Sequence, residues 1–424
     1  MKPLNLLLIS MMISAGSLYG QEPLYDETKV PSYKLPALLE SESGKAIKNV
    51  KQWENKRRPE ILGLFSDQVH GKTPARKIPM KFQLQSVDEQ ALGGKATRKQ
   101  VRIYFGRDSS RHMDLLLYLP NSSKTPAPVF LGLNFTGNQT IHPDPDIFIS
   151  TRQTNNGDNT GYKDGYATEE SRGLRVRRWP VEQILSRGYG VATIYYGDIQ
   201  PDRPDSFREG IHSLFFKPGQ EKPGPGEWGA VGAWAWGLSR ALDYLVQDPD
   251  VNPDQVAVLG HSRLGKASLW AGAQDQRFAI VISNDSGEGG AAITRRKFGE
   301  TIKDINTRFP HWFCDNYKKY NNKENELPVD YHQLIALIAP RPVYVASASG
   351  DQWADPKGEY LSLYHAGPVY ELYGLKPLKS PVPPGLEKPV RTESMGYHMR
   401  NGKHDILLYD WTNYMDFADK AFGK

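Results

Sequence analysis

The chain has 424 residues, of which 39% are hydrophobic and 24% are charged. This composition is typical of a globular protein with a large core, and it excludes a disordered or coiled-coil chain. The formal net charge is +5, but the basic residues are scattered and their densest run is RGLRVRR at 172–178, so nucleic acid is not an expected partner.

The first twenty residues predict export of the protein. Lys2, the apolar run LNLLLISMMIS and the small-residue stretch AGSLYG correspond to the charged, apolar and cleavable regions of a signal peptide. The apolar run is too short to span a membrane, so we expect cleavage near Gly20, no membrane anchor and a periplasmic or secreted protein. Cys314 is the single cysteine, which excludes an internal disulfide, and we expect it to be buried.

The first half of the chain predicts an irregular start followed by strands. From residue 21 to about 94 the sequence is polar and irregular, with one predicted amphipathic helix around 50–69. Apolar runs bounded by turn residues then predict strands at 101–105, 113–119, 128–135 and 189–196. We expect the first two to form a hairpin at a sheet edge and the later two to be buried parallel strands.

The second half alternates more regularly. Helices are predicted at 232–247, directly after Ser262, near 331–339 and over the last twenty residues, and strands at 255–262, 278–285, 342–351 and 394–399. This alternation predicts a doubly wound, mainly parallel sheet in a three-layer αβα sandwich. We expect one catalytic domain over residues 21–424, with loop insertions at about 141–180, 200–230 and 364–392.

The stretch VLGHSRLGKAS at 258–268 carries the first chemical signal. It resembles the nucleophile elbow of the α/β-hydrolase fold, G-x-S-x-G, which holds a serine on a sharp strand-to-helix turn. The second glycine, Gly265, comes one residue later than that pattern requires. With this deviation the motif predicts an α/β-hydrolase fold in which Ser262 is the nucleophile.

A serine nucleophile needs a base and an acid, which follow it in the order acid, then histidine, in α/β-hydrolases. Among His365, His398 and His404, only His404 follows a glycine-containing turn directly before the final helix, so it is the predicted base. Asp351 ends one predicted strand and Asp285 ends the preceding one, and both stay open as the acid. Asp355, in WADP, is predicted to cap a helix instead.

Two cations follow the candidate nucleophile closely. Arg263 could donate a charge-assisted hydrogen bond to a developing oxyanion, and Lys266, one turn further, is expected to point along the same rim. A second oxyanion donor often comes from the loop after the third strand of this fold, here 134–140.

These residues together resemble the glucuronoyl esterases, carbohydrate esterase family 15, and in particular their bacterial branch. The family's elbow has the form G-[CH]-S-R-x-G-K, which residues 260–266 match at every fixed position, so the displaced glycine is a family trait. Further stretches that resemble the bacterial branch are LNFTGN (133–138), NDSGEGGAA (284–292), RRKFGETI (295–302), RFPHWF (308–313), GDQWADPKGE (350–359) and GKHD (402–405). The resemblance extends from about residue 128 to the C-terminus.

The resemblance implies a role for each matching residue. Ser262 would be the nucleophile, His404 the base and Arg263 an oxyanion donor. Lys266 and Glu300 would bind hydroxyl groups of a glucuronoyl ring, Trp353 would pack near that sugar, and Trp312 would be nearby or structural. The family places its acid at the position of either Asp285 or Asp351, and we favour Asp351 because aspartate at the earlier position reaches less far than the family's glutamate.

The implied reaction is hydrolysis of the ester between (4-O-methyl-)glucuronic acid of glucuronoxylan and a lignin alcohol, through an acyl-enzyme, without a metal or an organic cofactor. An acetyl-xylan or general carbohydrate esterase with the same triad, and a non-catalytic secreted glycan-binding protein, are the alternative functions. We expect a monomer.

Overall fold

The computed structural model describes residues 22–107, 111–154 and 160–424. The predicted signal peptide, residues 1–20, lies outside the described residues. In chain order the strands are β1 (Met80–Gln90), β2 (Ala96–Phe105), β3 (Arg111–Pro120), β4 (Ala127–Asn134), β5 (Tyr162–Lys163), β6 (Tyr166–Ala167), β7 (Gly190–Tyr195), β8 (Val251–His261), β9 (Ile280–Asn284), β10 (Val343–Ala348), β11 (Val390–Arg391) and β12 (Met395–Arg400).

Ten of these strands form one sheet in the order β1-β2-β3-β7-β4-β8-β9-β10-β12-β11, and β5 and β6 form a separate hairpin. The strands from β7 to β12 pair in parallel, whereas β1, β2 and β3 pair antiparallel at one edge and β11 pairs antiparallel at the other. The sheet is therefore mainly parallel, as predicted.

Helices connect the parallel strands. In chain order they are α1 (Val50–Gln52), α2 (Arg58–Phe65), α3 (Ala91–Gly94), α4 (Val181–Ser186), α5 (Tyr196–Ile199), α6 (Ala230–Leu245), α7 (Arg263–Gln274), α8 (Ile302–Arg308), α9 (Tyr331–Ala336), α10 (Pro356–Leu372) and α11 (Leu408–Phe422). A π-helical turn at Trp53–Arg57 joins α1 to α2 and a second one at Ser66–His70 extends α2, which gives one helical segment that matches the helix predicted at 50–69.

Both faces of the sheet are covered, because neighbouring residues of the central strands belong to different cores. In β8, Val256 and Val258 pack with α2, α6, α7, α9 and α10, whereas Ala257 and Leu259 pack with α4 and α11. Successive side chains of a strand point to opposite faces, so this division shows a helical layer on each side of the sheet. The predicted three-layer αβα arrangement is confirmed.

Two parts of the predicted layout were wrong. Residues 80–90, placed in an irregular region, form the edge strand β1, in which every residue is at least partly exposed. Met80, Phe82 and Leu84 alternate with polar residues, but only Met80 and Phe82 pack against the core, and the pairing with β2 defines the strand. The insertion predicted at 364–392 begins in helix, because α10 continues through Pro368 to Leu372 with Val369 and Tyr370 buried.

The predicted insertions at 141–180 and 200–230 begin beyond the carboxyl ends of the parallel strands β4 and β7. The predicted insertion at 141–180 contains the β5–β6 hairpin, and its Arg178 carbonyl accepts a hydrogen bond from Trp411 Nε1 of α11 at 2.8 Å. Cys314 is buried, as expected. Within the described ranges no helix combines the length and the apolar character that a membrane crossing requires.

Candidate active site

Ser262 occupies a strained turn between β8, which ends at His261, and α7, which begins at Arg263. Its backbone has φ 58° and ψ −130°, a conformation that costs free energy for any residue with a Cβ atom. The Ser262 amide donates to the carbonyl of Asn284 in the neighbouring β9 at 2.8 Å. The turn thus lifts the hydroxyl above the carboxyl end of β8, as the elbow motif predicts.

The displaced glycine of the elbow has a steric reason. A Cβ atom on Gly260 would lie 2.0 Å from the carbonyl oxygen of Leu264, and one on Gly265 would lie 3.0 Å from the Cβ of Ser286. Leu264 itself is buried in the core. The backbone therefore approaches closely at Gly265, whereas position 264 points into apolar packing, where a side chain is favourable.

His404 and Asp351 form a hydrogen-bonded pair at the same end of the sheet. Asp351 follows β10 and His404 follows the adjacent β12, and His404 Nδ1 lies 2.5 Å from Asp351 Oδ2. The carboxylate is buried, while the imidazole is 42% exposed. No hydrogen bond joins His404 to Ser262 among the described residues, and such bonds often tighten only when substrate binds.

Asp285 lies close to this pair but bonds differently. Its Oδ2 accepts from the Asp405 amide at 3.4 Å and lies 3.8 Å from Arg400 Nη2, while its Oδ1 is buried without a partner in the described structure. Burial, and then the charges of Glu359 and Asp351, raise the pKa of Asp285 well above its usual value. The protonated carboxyl is therefore more accessible to Asp285 than to an exposed aspartate.

The same three side chains also form the one group in the described ranges that is spaced for a metal ion. One ligand atom each of Asp285, Asp351 and His404 lies within 4.8 Å of the others. The set consists of two carboxylates and an imidazole, but His404 Nδ1 and Asp351 already share a hydrogen bond. The arrangement therefore also fits a base with its carboxylate partner and a second, neutral acid.

The other two candidate histidines lie elsewhere. His398, in β12, accepts or donates at both nitrogens, with Tyr344 at 3.0 Å and Asp410 at 2.8 Å, and it is completely buried. His365 lies within α10 rather than in a loop. Asp355 caps the start of α10 by accepting from the Gly358 amide at 2.9 Å, which is the structural role predicted for it.

Arg263 is held by one carboxylate and two aromatic rings. Its Nη1 donates to Asp202, and its guanidinium lies 4.7 Å from the centre of the Trp312 ring and 5.3 Å from that of Phe309. Asp202 also accepts from His311 Nε2 and Trp312 Nε1, each at 2.7 Å. Arg263 is therefore fixed in place beside the nucleophile.

Burial would raise the pKa of Asp202, but the His311 hydrogen bond and the Arg263 charge lower it to about 2. Asp202 is accordingly ionised at neutral pH and can hold the guanidinium as an ion pair. Sequence reasoning did not single out Asp202, because it lies in the predicted loop 200–230, where no pattern marks it.

Lys266 does not lie along an exposed rim, contrary to expectation. It is buried, and its Nζ donates to the carbonyls of Ser286 and Glu288 and lies 4.0 Å from Glu300 Oε2. Burial lowers the pKa of Lys266 and raises that of Glu300. One turn into α7, Lys266 points inward because the loop after β9 supplies acceptors there.

The two candidate tryptophans differ in exposure. Trp353 is partly exposed, and its carbonyl accepts from the Glu300 amide at 2.9 Å. Trp312 is buried, stacks on Phe309 with ring centres 3.8 Å apart, and donates to Asp202. The contacts of Trp312 thus serve to hold Arg263, whereas Trp353 stays partly exposed beside the Arg308 guanidinium, which lies 5.2 Å from the centre of its ring.

Glu359, in α10, is a further buried acid that the sequence did not reveal. It accepts from the amides of Ser286 at 2.7 Å and Gly287 at 3.0 Å, and from the Ser347 hydroxyl at 2.6 Å. These bonds tie the loop after β9 to α10. That loop carries Asp285 and the carbonyls that bind Lys266, so Glu359 helps to position these groups.

The basic run 172–178 also ends at the site. Arg177 and Arg178 both pair with Asp405, the residue after His404, with Arg178 Nε 2.7 Å from Asp405 Oδ1. The insertion is thereby fastened to the histidine loop. Taken together, an elbow serine, an imidazole with a buried carboxylate and a fixed cation are suited to acyl transfer.

Known proteins resemble the chain closely. A family model described as "Glucuronyl esterase, fungi" matches residues 189–374. A carbohydrate esterase from an unknown prokaryotic organism is 49% identical over 396 residues, which are 93% of this chain and 91% of that protein. The solved glucuronoyl esterase from Solibacter usitatus is 53% identical with a TM-score of 0.89, covering 94% of this chain and all of that one.

A second solved structure, described as a promiscuous CE15 esterase from the marine bacterial metagenome, is 48% identical with a TM-score of 0.87. It covers 94% of this chain and 100% of that one. Both structures and the prokaryotic esterase thus cover more than nine-tenths of the chain, whereas the family model matches residues 189–374.

Proposed function

The chain belongs to the glucuronoyl esterases of carbohydrate esterase family 15, and on this basis we propose that it hydrolyses esters of glucuronic acid through Ser262. The observation that carries the catalytic assignment is the 2.5 Å contact between His404 Nδ1 and Asp351 Oδ2 at the sheet end where Ser262 occupies its elbow. An imidazole oriented in this way presents its second nitrogen as a base.

In the proposed reaction Ser262 Oγ attacks the ester carbonyl while its proton moves to His404 Nε2. Asp351 accepts from the Nδ1–H group and stabilises the imidazolium that results. When the tetrahedral intermediate collapses, the bond to the alcohol oxygen breaks and His404 returns its proton to that oxygen. Water then attacks the acyl-enzyme in the same way, which releases the uronic acid and restores Ser262.

Arg263 is proposed to stabilise the negative charge of the tetrahedral intermediate. Its backbone amide follows the nucleophile, which is the usual donor position in this fold, and its ion pair with Asp202 keeps the guanidinium in place. A donor that is already oriented needs no reorganisation when the charge develops.

The uronic acid ring is proposed to lie over Lys266, Glu300 and Trp353. Lys266 and Glu300 are oppositely charged and 4.0 Å apart, and such groups can donate to and accept from sugar hydroxyls. Trp312 acts through Asp202 instead. The natural ester is proposed to join glucuronic acid of glucuronoxylan to a lignin alcohol, and the steps above require no cofactor.

Kinetics on benzyl glucuronate test this proposal. We expect hydrolysis by the wild-type protein and loss of at least about 10³-fold in kcat for Ser262→Ala, because the variant lacks the nucleophile. Turnover by Ser262→Ala equal to that of the wild type would overturn the enzymatic assignment and favour a glycan-binding protein that does not catalyse ester hydrolysis.

Acetyl esters are the second candidate substrate class. The observation that favours them is the 48% identical relative that is described as promiscuous. An acetylated xylo-oligosaccharide assayed beside benzyl glucuronate separates the two, because a higher kcat/KM on the acetyl ester would identify a general carbohydrate esterase.

Export, domain organisation and assembly are also proposed from the sequence. Residues 1–20 are proposed to direct export to the periplasm or the medium, and residues 21–424 to fold as one catalytic domain and to act as a monomer. N-terminal sequencing of the exported protein and light scattering of the purified protein test these points.

A further inference from the structure

The first described residues run along the sugar side of the proposed site. The Leu24 carbonyl accepts from the Gly299 amide at 2.9 Å, next to Glu300. Glu27 pairs with Arg296 and, at 2.6 Å, with Lys357 Nζ. This N-terminal segment, residues 22–29, is therefore attached both to the loop that carries Glu300 and to the start of α10.

The loops beneath the N-terminal segment are packed closely against one another. The Glu300 amide donates to the Trp353 carbonyl at 2.9 Å, and a Cβ atom on Gly299 would lie 2.4 Å from the same oxygen. The Gly299 amide also donates to the Leu24 carbonyl. The N-terminal segment, Glu300 and Trp353 therefore adjoin one another on one surface.

Tyr25 places an aromatic ring on this surface. The ring meets Phe298 edge-on, with centres 6.0 Å apart and planes at 77°, and the residue is 49% exposed. Burial, and then the charges of Asp351 and Asp304, raise the pKa of the Tyr25 phenol. Tyr25 is thus held by Phe298 and still open to a ligand.

We propose that Tyr25 is a glycan-binding residue, whose ring contacts the pyranose next to the glucuronoyl group in the polysaccharide chain. The proposal rests on the proposed function, since it places the uronic ring over Glu300 and Trp353. A pyranose presents C–H groups on one face and hydroxyls at its edge, and tyrosine offers an apolar ring with a polar tip. A neighbouring sugar therefore finds in Tyr25 both kinds of contact.

The position of Tyr25 favours the sugar over the alcohol as its ligand. The departing alcohol takes its proton from His404, so it lies at the histidine loop, which is bounded by Arg177 and Arg178. Tyr25 is attached to the loop of Glu300 instead. Small esters that end at the uronic ring would not reach it.

The test compares two benzyl esters, one of free glucuronic acid and one of a glucuronoyl xylo-oligosaccharide. For Tyr25→Ala we expect KM on the oligosaccharide ester to rise about 3- to 10-fold with kcat unchanged, as the loss of one aromatic contact implies. Both constants on the small ester should stay at the wild-type values, and Tyr25→Phe should retain most of the oligosaccharide affinity.

Tyr166→Ala is the matched control, because Tyr166 is 50% exposed but lies in the β5–β6 hairpin. It should leave both substrates unaffected. Unchanged KM of Tyr25→Ala on the oligosaccharide ester would overturn the proposal. The proposal would also be overturned if Tyr25→Ala raised KM on the benzyl ester of free glucuronic acid but not on its methyl ester. That result would place Tyr25 at the alcohol.

Binding to an inactive background keeps this test separate from the proposed function. Calorimetry with the unesterified glucuronoyl xylo-oligosaccharide compares Ser262→Ala with Ser262→Ala/Tyr25→Ala. A higher Kd in the double variant supports the glycan contact even if neither ester is hydrolysed, and an equal Kd overturns it. Failure of the wild type on both esters would count against the proposed function alone.

Discussion

At the scale of single residues, the choice between the two acids depends on charge as well as distance. Asp351 accepts from His404 at 2.5 Å, whereas the pKa of Asp285 is raised by burial and by its acidic neighbours. An ionised carboxylate stabilises an imidazolium, and a protonated one does not. The two aspartates are therefore not equivalent, although either could reach the histidine loop.

We expect Asp351→Asn to lower kcat by about 10²- to 10⁴-fold, because the imidazole loses the charge that orients it. Asp285→Asn should stay within about tenfold of the wild type, since the hydrogen bond to His404 is made by Asp351 and the raised pKa of Asp285 moves it toward the protonated carboxyl, which an amide resembles. Steady-state kinetics on benzyl glucuronate measure both values. The reverse ranking would move the acid of the triad to Asp285.

Asp202 is expected to act through Arg263. In Asp202→Asn the acceptors for His311 and Trp312 stay, but the charge that holds the guanidinium is lost. An oxyanion donor that is no longer fixed should lower kcat by about 10- to 100-fold with little change in KM. Asp205→Asn, in the same loop and 86% exposed, is the control and should match the wild type. Wild-type kcat in Asp202→Asn would remove the positioning role.

These residues also show how far the sequence determines the candidate site. Ser262, His404 and the two candidate acids, Asp285 and Asp351, follow from the order of elements in a known fold, because the carboxyl ends of parallel strands meet at one edge. Asp202 and Glu359 do not follow, since their partners are 61 and 73 residues away along the chain and no periodicity links them. The inward direction of Lys266 likewise depends on carbonyls of another loop.

At the scale of elements, the elbow depends on the absence of side chains at two positions. Gly260→Ala would bring a methyl group to 2.0 Å from the Leu264 backbone, so β8 and α7 must move apart. Gly265→Ala meets Ser286 at 3.0 Å and needs a smaller shift. We expect Gly260→Ala to be destabilised by about 3 kcal/mol with loss of most activity, and Gly265→Ala by about 1 kcal/mol.

Denaturant unfolding and ester turnover of both variants check this order. Gly63→Ala is the control, because Gly63 lies within α2, where an added Cβ atom would meet nothing within 4 Å, and alanine favours a helix. It should be stabilised by about 0.5–1 kcal/mol. An equal loss in Gly260→Ala and Gly265→Ala would show that the elbow glycines are not set by these contacts.

Elements buried on both faces were predictable, and those at the edges were not. The strands β4, β7 and β8 are apolar runs because helices cover both of their faces. The edge strand β1 has only a partly buried apolar face, from Met80 and Phe82, and its ladder with β2 depends on residues further along the chain. Pro368 and Gly367 similarly concealed the end of α10, where the buried Tyr370 outweighs their poor helix propensity.

At the scale of the whole molecule, the folded state carries buried acids whose protonation couples stability to pH. Asp198, in α5, is buried, and its Oδ2 accepts from the Asp114 amide at 3.1 Å. Burial, and then the charge of Asp114, raise the pKa of Asp198 to about 7, although Arg152 and Arg102 act in the opposite direction. In the unfolded chain its pKa returns to about 3.9.

Between these two pH values the folded protein holds a proton that the unfolded chain has released, so the free energy of unfolding falls as pH rises. The contribution of Asp198 to the free energy of unfolding is complete below about pH 4, decreases by up to about 1.4 kcal/mol per pH unit and is lost above about pH 7.

The variant Asp198→Asn has no proton to release at this position. Relative to this variant, the wild type should lose about 2 kcal/mol between pH 5 and pH 7, as measured by urea unfolding at each pH. A difference between the two proteins that does not change with pH would show that Asp198 is already ionised in the folded protein at pH 5.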